Sequence, residues 1–366
     1  MNHQNVDVEH MAHALRLAQR GLYTTDPNPR VGCVLVQGNQ VVGEGWHERA
    51  GEAHAEIHAL RAAGKQARGA TAYITLEPCS HHGRTPPCSE ALIESRIARA
   101  LVAMPDPNPK VGGGGVETLR RAGIEVEVGL LQRQAEALNP GFISRMRRGR
   151  PFVRAKLAAS LDGRTAMGSG ESKWITGETA RLDVQRWRAR SSAIMTGIGT
   201  VLKDDPRLSV RAIASKRQPL RIVIDSQLRM PPQAALIADG AGVVLVTCAD
   251  DDERAQRLRG NGTEVLRVPS EQGRVNLSAV MQQLVAREIN EVLLESGPAL
   301  AGAMLQANLV DELIIYLAPC LLGGEAQGMF KLPALIHLQD RVRLEIQDMR
   351  AIGDDWRVIA RVRSKE

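Results

Sequence analysis

Four residues in the first quarter of the chain have the types and spacing for metal-assisted hydrolysis. They are His54 and Glu56 in HAEIHAL, and Cys79 and Cys88 in EPCSHHGRTPPC. Two thiolates and an imidazole give a zinc ion three protein ligands and leave its fourth position to water. The ion lowers that water's pKa from about 16 toward about 7, making hydroxide available at neutral pH. A carboxylate beside the metal, but not bound to it, can take the proton and deliver it to a leaving group. Glu56 suits that carrier, with His54, Cys79 and Cys88 as ligands. On a regular helix, positions i and i+2 diverge by about 200°. Both side chains therefore reach one pocket only if His54 sits on the turn that opens a helix.

The same residues admit other readings. Eight residues separate Cys79 from Cys88, and a disulfide between them is geometrically open. His81 and His82 can close a four-ligand structural site within the loop, although its three prolines make that convergence awkward. His54 and His58 stand at i,i+4 like a zincin pair, but H-E-x-x-H needs its Glu directly after the first His. That excludes the protease, and His58 reads as a packed or solvated helix residue. H-x-E followed by P-C and a second Cys is the pattern of zinc deaminases of nucleobases. Asn28, His47 and Arg84 fall on loops that can border the same pocket.

Around these residues the first half reads as alternating elements. Val8, Met11, Leu15 and Ala18 mark one face of a helix. VGCVLVQGNQVVGEG is a hairpin with a Gly38-Asn39 turn. A helix from about His54, the strand ATAYITL, a helix from about Cys88, the strand RALVAM, the helix GVETLRRAG and the strand IEVEV follow, making an α/β sandwich. NPGFISRMRRGRP turns basic and irregular, so we expect the linker there and domains at 1–146 and 147–366. A length of 366 residues agrees with two domains. The second half offers the strands FVRAKLAAS, SSAIMTG, LRIVIDS, AGVVLVT, INEVLLES and LVDELIIYLAP with helices between them, which is βαβ arithmetic. Its tail, VRLEIQDMRAIGDDWRVIARVR, reads as an antiparallel pair. DPNPRVG at 26–32 and DPNPKVG at 106–112 should both be stiff loops.

Charge divides the halves. Residues 1–146 hold 15 Lys/Arg against 15 Asp/Glu, so the net +6 belongs to the second half. Aromatics are only 3% of the chain, too few to stack bases along a groove. Phosphorylated small molecules are the better partners, and neither nucleic acid nor a membrane is expected. A nucleic-acid editing deaminase would want basic charge beside the metal site, which the balanced first half lacks. A non-catalytic zinc-stabilised binding protein would have no use for Glu56. No run of about 18 apolar residues occurs, and the polar start MNHQNVDVEH lacks a signal-peptide pattern. With five cysteines, two of them in one motif, a cytoplasmic chain with reduced thiols is expected. Cys33, Cys248 and Cys320 read as small core residues.

DPNPRVGCVLV, HAEIHAL, TLEPCSHHGRTPPC and DPNPKV together resemble the deaminase domain of the bifunctional riboflavin-biosynthesis deaminase–reductase family. KLAASLDGRTA, WITGETAR, TVLKDDPRLSVR, RIVIDS and LLESGPALAGAML resemble its reductase domain. The long Cys79–Cys88 spacing, foreign to deaminases of cytidine or of tRNA adenosine, is the one this family uses. The resemblance implies a cytidine-deaminase-like α/β/α sandwich followed by a dihydrofolate-reductase-like domain. It implies zinc hydrolysis of the C2 amino group of 2,5-diamino-6-(5-phosphoribosylamino)pyrimidin-4(3H)-one, then NADPH reduction of its ribosyl side chain to ribityl. Asn28, His47 and Arg84 become substrate contacts by that likeness. We expect a homo-oligomer, with a dimer favoured.

No G-x-G-x-x-G opens the second domain, which disfavours an ordinary dinucleotide fold. In ESGPALAG a strand ends at Glu295, Gly297 frees the backbone and Pro298 fits a first helical position. The open N–H groups of such a helix start bind phosphate, though a plain strand–helix turn fits as well. The resemblance puts NADPH phosphates along Gly297, Pro298, Ala299, Leu300, Ala301, Gly302 and Ala303, and substrate at Glu295. It also implies NADPH contacts at Ala158, Trp174, Thr200, Asp204 and Ser226, and substrate contacts at Ser172, Arg188, Leu208 and Arg211. The two arginines suit a phosphate. Lys156 and Asp162 are open between catalysis and a buried ion pair. VGGGGVE at 111–117 resembles a phosphate loop but lacks Lys-Ser/Thr, and a flexible turn is expected.

Overall fold

A computed structural model of the chain describes residues 3–81, 86–109, 112–215, 217–238 and 240–363. Two compact units divide at Gly149/Arg150, three residues past the expected boundary.

The first unit runs α1 (His3–Gln19), β1 (Gly32–Gln37), β2 (Gln40–Trp46), α2 (Ala55–Ala63), β3 (Thr71–Ile74), α3 (Cys88–Glu94), β4 (Arg99–Val102), α4 (Gly114–Arg121), β5 (Glu125–Val128), α5 (Gln132–Leu138) and α6 (Pro140–Arg148). Its sheet has the order β2-β1-β3-β4-β5. β1 is antiparallel to both β2 and β3, and β3, β4 and β5 run parallel. Alternate side chains of β1 serve opposite faces. Cys33 and Leu35 join Ala55, Ala59, Leu92 and Leu119 of α2, α3 and α4. Val34 and Val36 join Met11, Leu17 and Ala135 of α1 and α5. Helices thus cover both faces of one sheet.

Two expectations fail here. Val8 is exposed, and the buried face of α1 is Met11, Ala14, Leu15, Leu17 and Ala18. Most of the basic stretch expected as a linker is the helix α6, although the division between the units falls at its end, between Gly149 and Arg150. Asn139 fixes its start by exchanging hydrogen bonds with the Arg30 backbone, at 2.8 Å from Arg30 N and 2.9 Å to Arg30 O. Pro140 opens α6, Phe142 is buried, and Gly149 at φ +62° ends it. Arg145, Arg147 and Arg148 occupy the last turn, where cations complement the helix dipole.

The second unit runs β6 (Phe152–Ser160), β7 (Arg164–Ala166), α7 (Glu178–Arg190), β8 (Ala193–Gly197), α8 (Ile198–Asp204), β9 (Leu220–Ile224), β10 (Val243–Thr247), α9 (Asp252–Arg259), β11 (Thr263–Arg267), β12 (Ser270–Glu271), β13 (Arg274–Val275), α10 (Leu277–Ala286), β14 (Glu291–Leu294), α11 (Pro298–Gln306), β15 (Glu312–Ala318), β16 (Gln327–Gly328), β17 (Leu344–Ile352) and β18 (Asp355–Val362). Nine strands form one sheet in the order β11-β10-β9-β8-β14-β6-β15-β18-β17. It is parallel from β11 to β15 and antiparallel through β18 and β17. Met195, Ile222, Val244 and Val292 pack on α10 and α11. On the other face Ile194, Leu293 and Ile314 pack on α7, and Val223 and Leu245 pack on α9. A parallel sheet buried on both faces explains why its strands read as continuous apolar runs. Cys33 is in the core, whereas Cys248 and Cys320 are only half-buried.

Candidate active sites

α2 approaches β2 closely enough to admit only glycine there: a Cβ on Gly43 would lie 2.2 Å from Ala59 O, and one on Gly45 2.3 Å from Ala55 O. This contact sets the start of α2 against the sheet. His54 is the extended residue before the helix (φ −76°, ψ 166°), and Glu56 lies in its first turn. The divergence of i and i+2 on a regular helix is thereby avoided. Cys79 lies after β3, and Cys88 opens α3. The Cys88 N–H donates to Cys79 Sγ at 3.3 Å, and the Ser89 hydroxyl donates to Cys79 O at 3.1 Å.

His54 Nδ1 is 3.3 Å from Cys88 Sγ and 3.6 Å from Cys79 Sγ. All three ligand atoms lie within 4.8 Å of one another. The Cys88 thiol hydrogen-bonds the Cys79 sulfur, holding the Cys79 pKa well below the usual range and pushing that of Cys88 up. Glu56 is buried, and its Oε2 has no hydrogen-bond partner among the described residues. Burial pushes its carboxyl up to about 7, with His54 opposing. Three soft and borderline donors meeting at one point, next to a carboxylate oxygen with nothing to bind, fit a zinc ion and its water.

His47 is buried beside this cluster, its ring edge-on to that of His54 at 5.3 Å. Asn28 Nδ2 donates to His47 Nε2 at 3.0 Å, and His47 Nδ1 donates to Ala53 O at 3.1 Å. Burial lowers the His47 pKa, in keeping with the neutral ring those two bonds require. Arg84 and His82 lie outside the described residues. His81 is exposed and outside the cluster, so it does not close an in-loop site. Cys79 and Cys88 are free thiols. His58 is half-buried and also outside the cluster.

The glycine run at 112–115 turns at Gly112 and Gly113, as expected, and opens α4 with Gly114 and Gly115. Glu77, two residues before Cys79 and buried, accepts hydrogen bonds from the backbone N–H of Asp106 (3.1 Å), Gly113 (2.9 Å), Gly115 (3.0 Å) and Val116 (3.1 Å). A Cβ on Gly115 would lie 1.8 Å from Pro78 O. The run therefore anchors the strand end that carries Cys79. Nothing in the sequence paired Glu77 with that loop, because the two are separated by a helix and a strand.

In the second unit the C-terminal ends of β6, β14, β8 and β9 open into a cavity of about 1180 Å³. Ala158, Ser172, Trp174, Arg188, Thr200, Asp204, Leu208, Arg211, Ser226 and Glu295 line it, as do Gly297, Pro298, Ala299, Leu300 and Ala303. Ala301 and Gly302 do not. Ala301 is buried, and a Cβ on Gly302 would lie 2.2 Å from Lys331 O. With 3.6 residues per turn, α11 cannot turn seven consecutive residues toward one ligand.

Arg188 is committed inside the protein. Its Nε and Nη2 bind the two Glu295 oxygens at 2.6 and 2.9 Å, and Nη1 donates to Ser209 O at 3.1 Å. Its pairing with Glu295 uses donors that a phosphate would otherwise take, although it lines the cavity, whereas the guanidinium of Arg211 is exposed and bonds no described residue. Burial favours a protonated Glu295, but Arg188, Lys156 and Arg211 outweigh it and hold the carboxyl below its ordinary range. Lys156 lies on the cavity wall. Burial depresses its pKa, with Glu295 opposing. The alternative of a Lys156–Asp162 ion pair fails, since Asp162 binds Ser160 Oγ and the N–H groups of Leu322 (3.2 Å) and Gly323 (2.9 Å). Gln185 escaped the sequence reading. Its Oε1 accepts from Arg211 N at 3.0 Å and holds that arginine at the cavity wall.

Residues 4–104 match the family model described as the cytidine and deoxycytidylate deaminase zinc-binding region, and residues 151–358 match the RibD C-terminal domain. Over 362 residues the chain is 51% identical to the riboflavin biosynthesis protein RibD of Escherichia coli (strain K12), covering 95% of this chain and 97% of that one. Among solved structures, Acinetobacter baumannii RibD (form 1) matches with a TM-score of 0.91 at 44% identity, covering 99% and 100% of the two chains. The diaminohydroxyphosphoribosylaminopyrimidine deaminase/5-amino-6-(5-phosphoribosylamino)uracil reductase of Thermotoga maritima matches with a TM-score of 0.88 at 32% identity, covering 99% and 100%.

Proposed function

The chain belongs to the RibD family of riboflavin-biosynthesis deaminase–reductases, and from that premise we propose how its own residues divide the two reactions. Residues 1–146 hydrolyse the C2 amino group of 2,5-diamino-6-(5-phosphoribosylamino)pyrimidin-4(3H)-one and release ammonia. Residues 147–366 reduce the ribosyl side chain, giving 5-amino-6-(5-phosphoribitylamino)uracil. The observation that carries the first assignment is the meeting of His54 Nδ1, Cys79 Sγ and Cys88 Sγ beside a buried, unpartnered Glu56 oxygen.

His54, Cys79 and Cys88 would hold zinc, which would make hydroxide available from its bound water at neutral pH. Glu56 takes the proton on its free oxygen, passes it to the ring nitrogen and then protonates the departing amine. His47, kept neutral between Asn28 and Ala53, presents a fixed ring edge to His54. With Asn28 it borders the pyrimidine, and Arg84 is proposed as a further substrate contact.

NADPH supplies a hydride to the second reaction. Gly297, Pro298, Ala299, Leu300 and Ala303 at the start of α11 would hold its phosphates, with Ala158, Trp174, Thr200, Asp204 and Ser226 as further contacts. The cavity's size and the open N–H groups of that helix start support this. Ser172, Leu208 and Arg211 contact substrate, with Arg211 on its phosphate. Arg188 acts by fixing Glu295 for the ribose hydroxyls. Reduction breaks the C1′–O4′ bond, adds hydride at C1′ and needs a proton on O4′. We assign that proton to Lys156, whose depressed pKa eases its release.

Among the described residues no helix is long and apolar enough to cross a membrane. We propose a cytoplasmic homo-oligomer, a dimer by preference. Supporting it, β17 is an edge strand whose Leu344, Ile346 and Met349 are exposed.

The test is one reaction with two readouts. Zinc-loaded chain is given the phosphoribosylamino-diaminopyrimidine and NADPH, and ammonia and NADPH are followed together. About one NADPH oxidised per ammonia released is expected. Ammonia without NADPH oxidation, even from deaminated substrate, would overturn the reductase assignment, and silence in both would overturn the whole reading.

A further inference from the structure

The cavity of the second unit has a direction. Neighbouring strands β6, β14, β8 and β9 contribute Lys156, Glu295, Gly197 and Ser226 in turn along the sheet edge. With adjacent strands about 4.8 Å apart, β9 ends roughly 10 Å from β14. Arg188, Glu295 and Lys156 crowd the β6/β14 end, where substrate belongs. The α11 start comes next, where a pyrophosphate belongs. Whatever reaches the β9 end is the part of the dinucleotide beyond its pyrophosphate, the adenosine.

Two cationic side chains stand at that end. Arg229 follows β9, and Arg274 lies in β13; both line the cavity and both are exposed. The Val275 N–H donates to Ser226 Oγ at 3.1 Å, which fastens the short β12–β13 hairpin, and with it Arg274, to the end of β9. The Asp225 carboxylate feels the charge of Arg229, but its oxygens are occupied by backbone donors, among them Gln227 (3.3 Å) and Met230 (2.8 Å). Glu271 faces Arg274 across the hairpin in register without forming an ion pair. Neither guanidinium hydrogen-bonds or ion-pairs with a described residue. Two arginines on one cavity wall, neither in a hydrogen-bonded ion pair with a described carboxylate, suit a phosphate dianion at the adenosine end.

Resting on the reading of this cavity as the NADPH site, we propose that Arg229 and Arg274 bind the 2′-phosphate of the adenosine ribose and so select NADPH over NADH. Arg207, also an exposed arginine of the cavity wall, is the control.

Binding of NADPH, NADH, 2′,5′-ADP and 5′-ADP to the full chain is measured by calorimetry, independent of turnover. Arg229→Ala and Arg274→Ala should each weaken NADPH and 2′,5′-ADP about tenfold or more, as loss of a charged hydrogen bond does. NADH and 5′-ADP should keep their affinities, and lysine in either position should restore part of the loss. Equal weakening of all four ligands would overturn the proposal, as would a selective loss confined to Arg207→Ala. If wild type binds NADPH tightly and both variants do so equally, the assignment of these arginines falls while the NADPH site stands. If wild type binds neither NADPH nor 2′,5′-ADP, the cavity reading falls and takes this proposal with it.

Discussion

The role proposed for Glu56 makes two demands that oppose each other. Glu56 must be buried enough to hold a proton, and burial pushes its carboxyl up to about 7. It must also lose that proton beside a dication, which favours the carboxylate. A carboxyl near neutrality can both accept a proton from water and return it within one turnover. Glu56→Gln keeps the volume and removes the proton carrier. We expect the variant to retain zinc, to lose ammonia release by about 10²–10⁴-fold, and to reduce already deaminated substrate at the wild-type rate. Metal analysis with separate ammonia and NADPH assays checks this; zinc loss in the variant would instead make Glu56 a structural residue. Arg188 teaches the complementary lesson. Its type suggested phosphate, and its bidentate pairing with Glu295 adds the proposed task of orienting that carboxylate.

Elements are located by contacts the sequence does not advertise. β1, β2 and α2 were legible because period-two alternation, a Gly38-Asn39 turn and an apolar helical face each act locally. α6 was misread because its basic residues, a helix C-terminal turn in the fold, have the composition of a linker. The Glu77 cradle was invisible for another reason: its donors come from Asp106 to Val116, far along the chain. Gly115→Ala tests its role. The new methyl, 1.8 Å from Pro78 O, must displace that loop, at an expected cost of about 1–3 kcal/mol. The first unit should melt earlier and bind zinc more weakly, read by calorimetry and a zinc competition assay, while NADPH oxidation is unchanged.

At the scale of the whole molecule, two compact units each own a core and a sheet. The proposed metal ligands His54, Cys79 and Cys88 belong to the first and the cavity to the second. A chelator should therefore abolish ammonia release and leave reduction of deaminated substrate intact, and added zinc should restore the first activity. Loss of both activities on chelation would tie the reductase to the metal. The sequence by itself determined the residue types at the metal site, the order of the two halves, most strands and the family, because ligand chemistry, side-chain periodicity and motif order are all written along one dimension. Only the tertiary structure decided that His54 escapes the helical divergence from Glu56 and that Glu77 fills the glycine cradle. Only it decided that Ala301 and Gly302 do not line the cavity, and that Arg229 and Arg274 do. Those facts depend on the pairing of segments far apart in the chain, which packing and backbone hydrogen bonding settle together and no local pattern records.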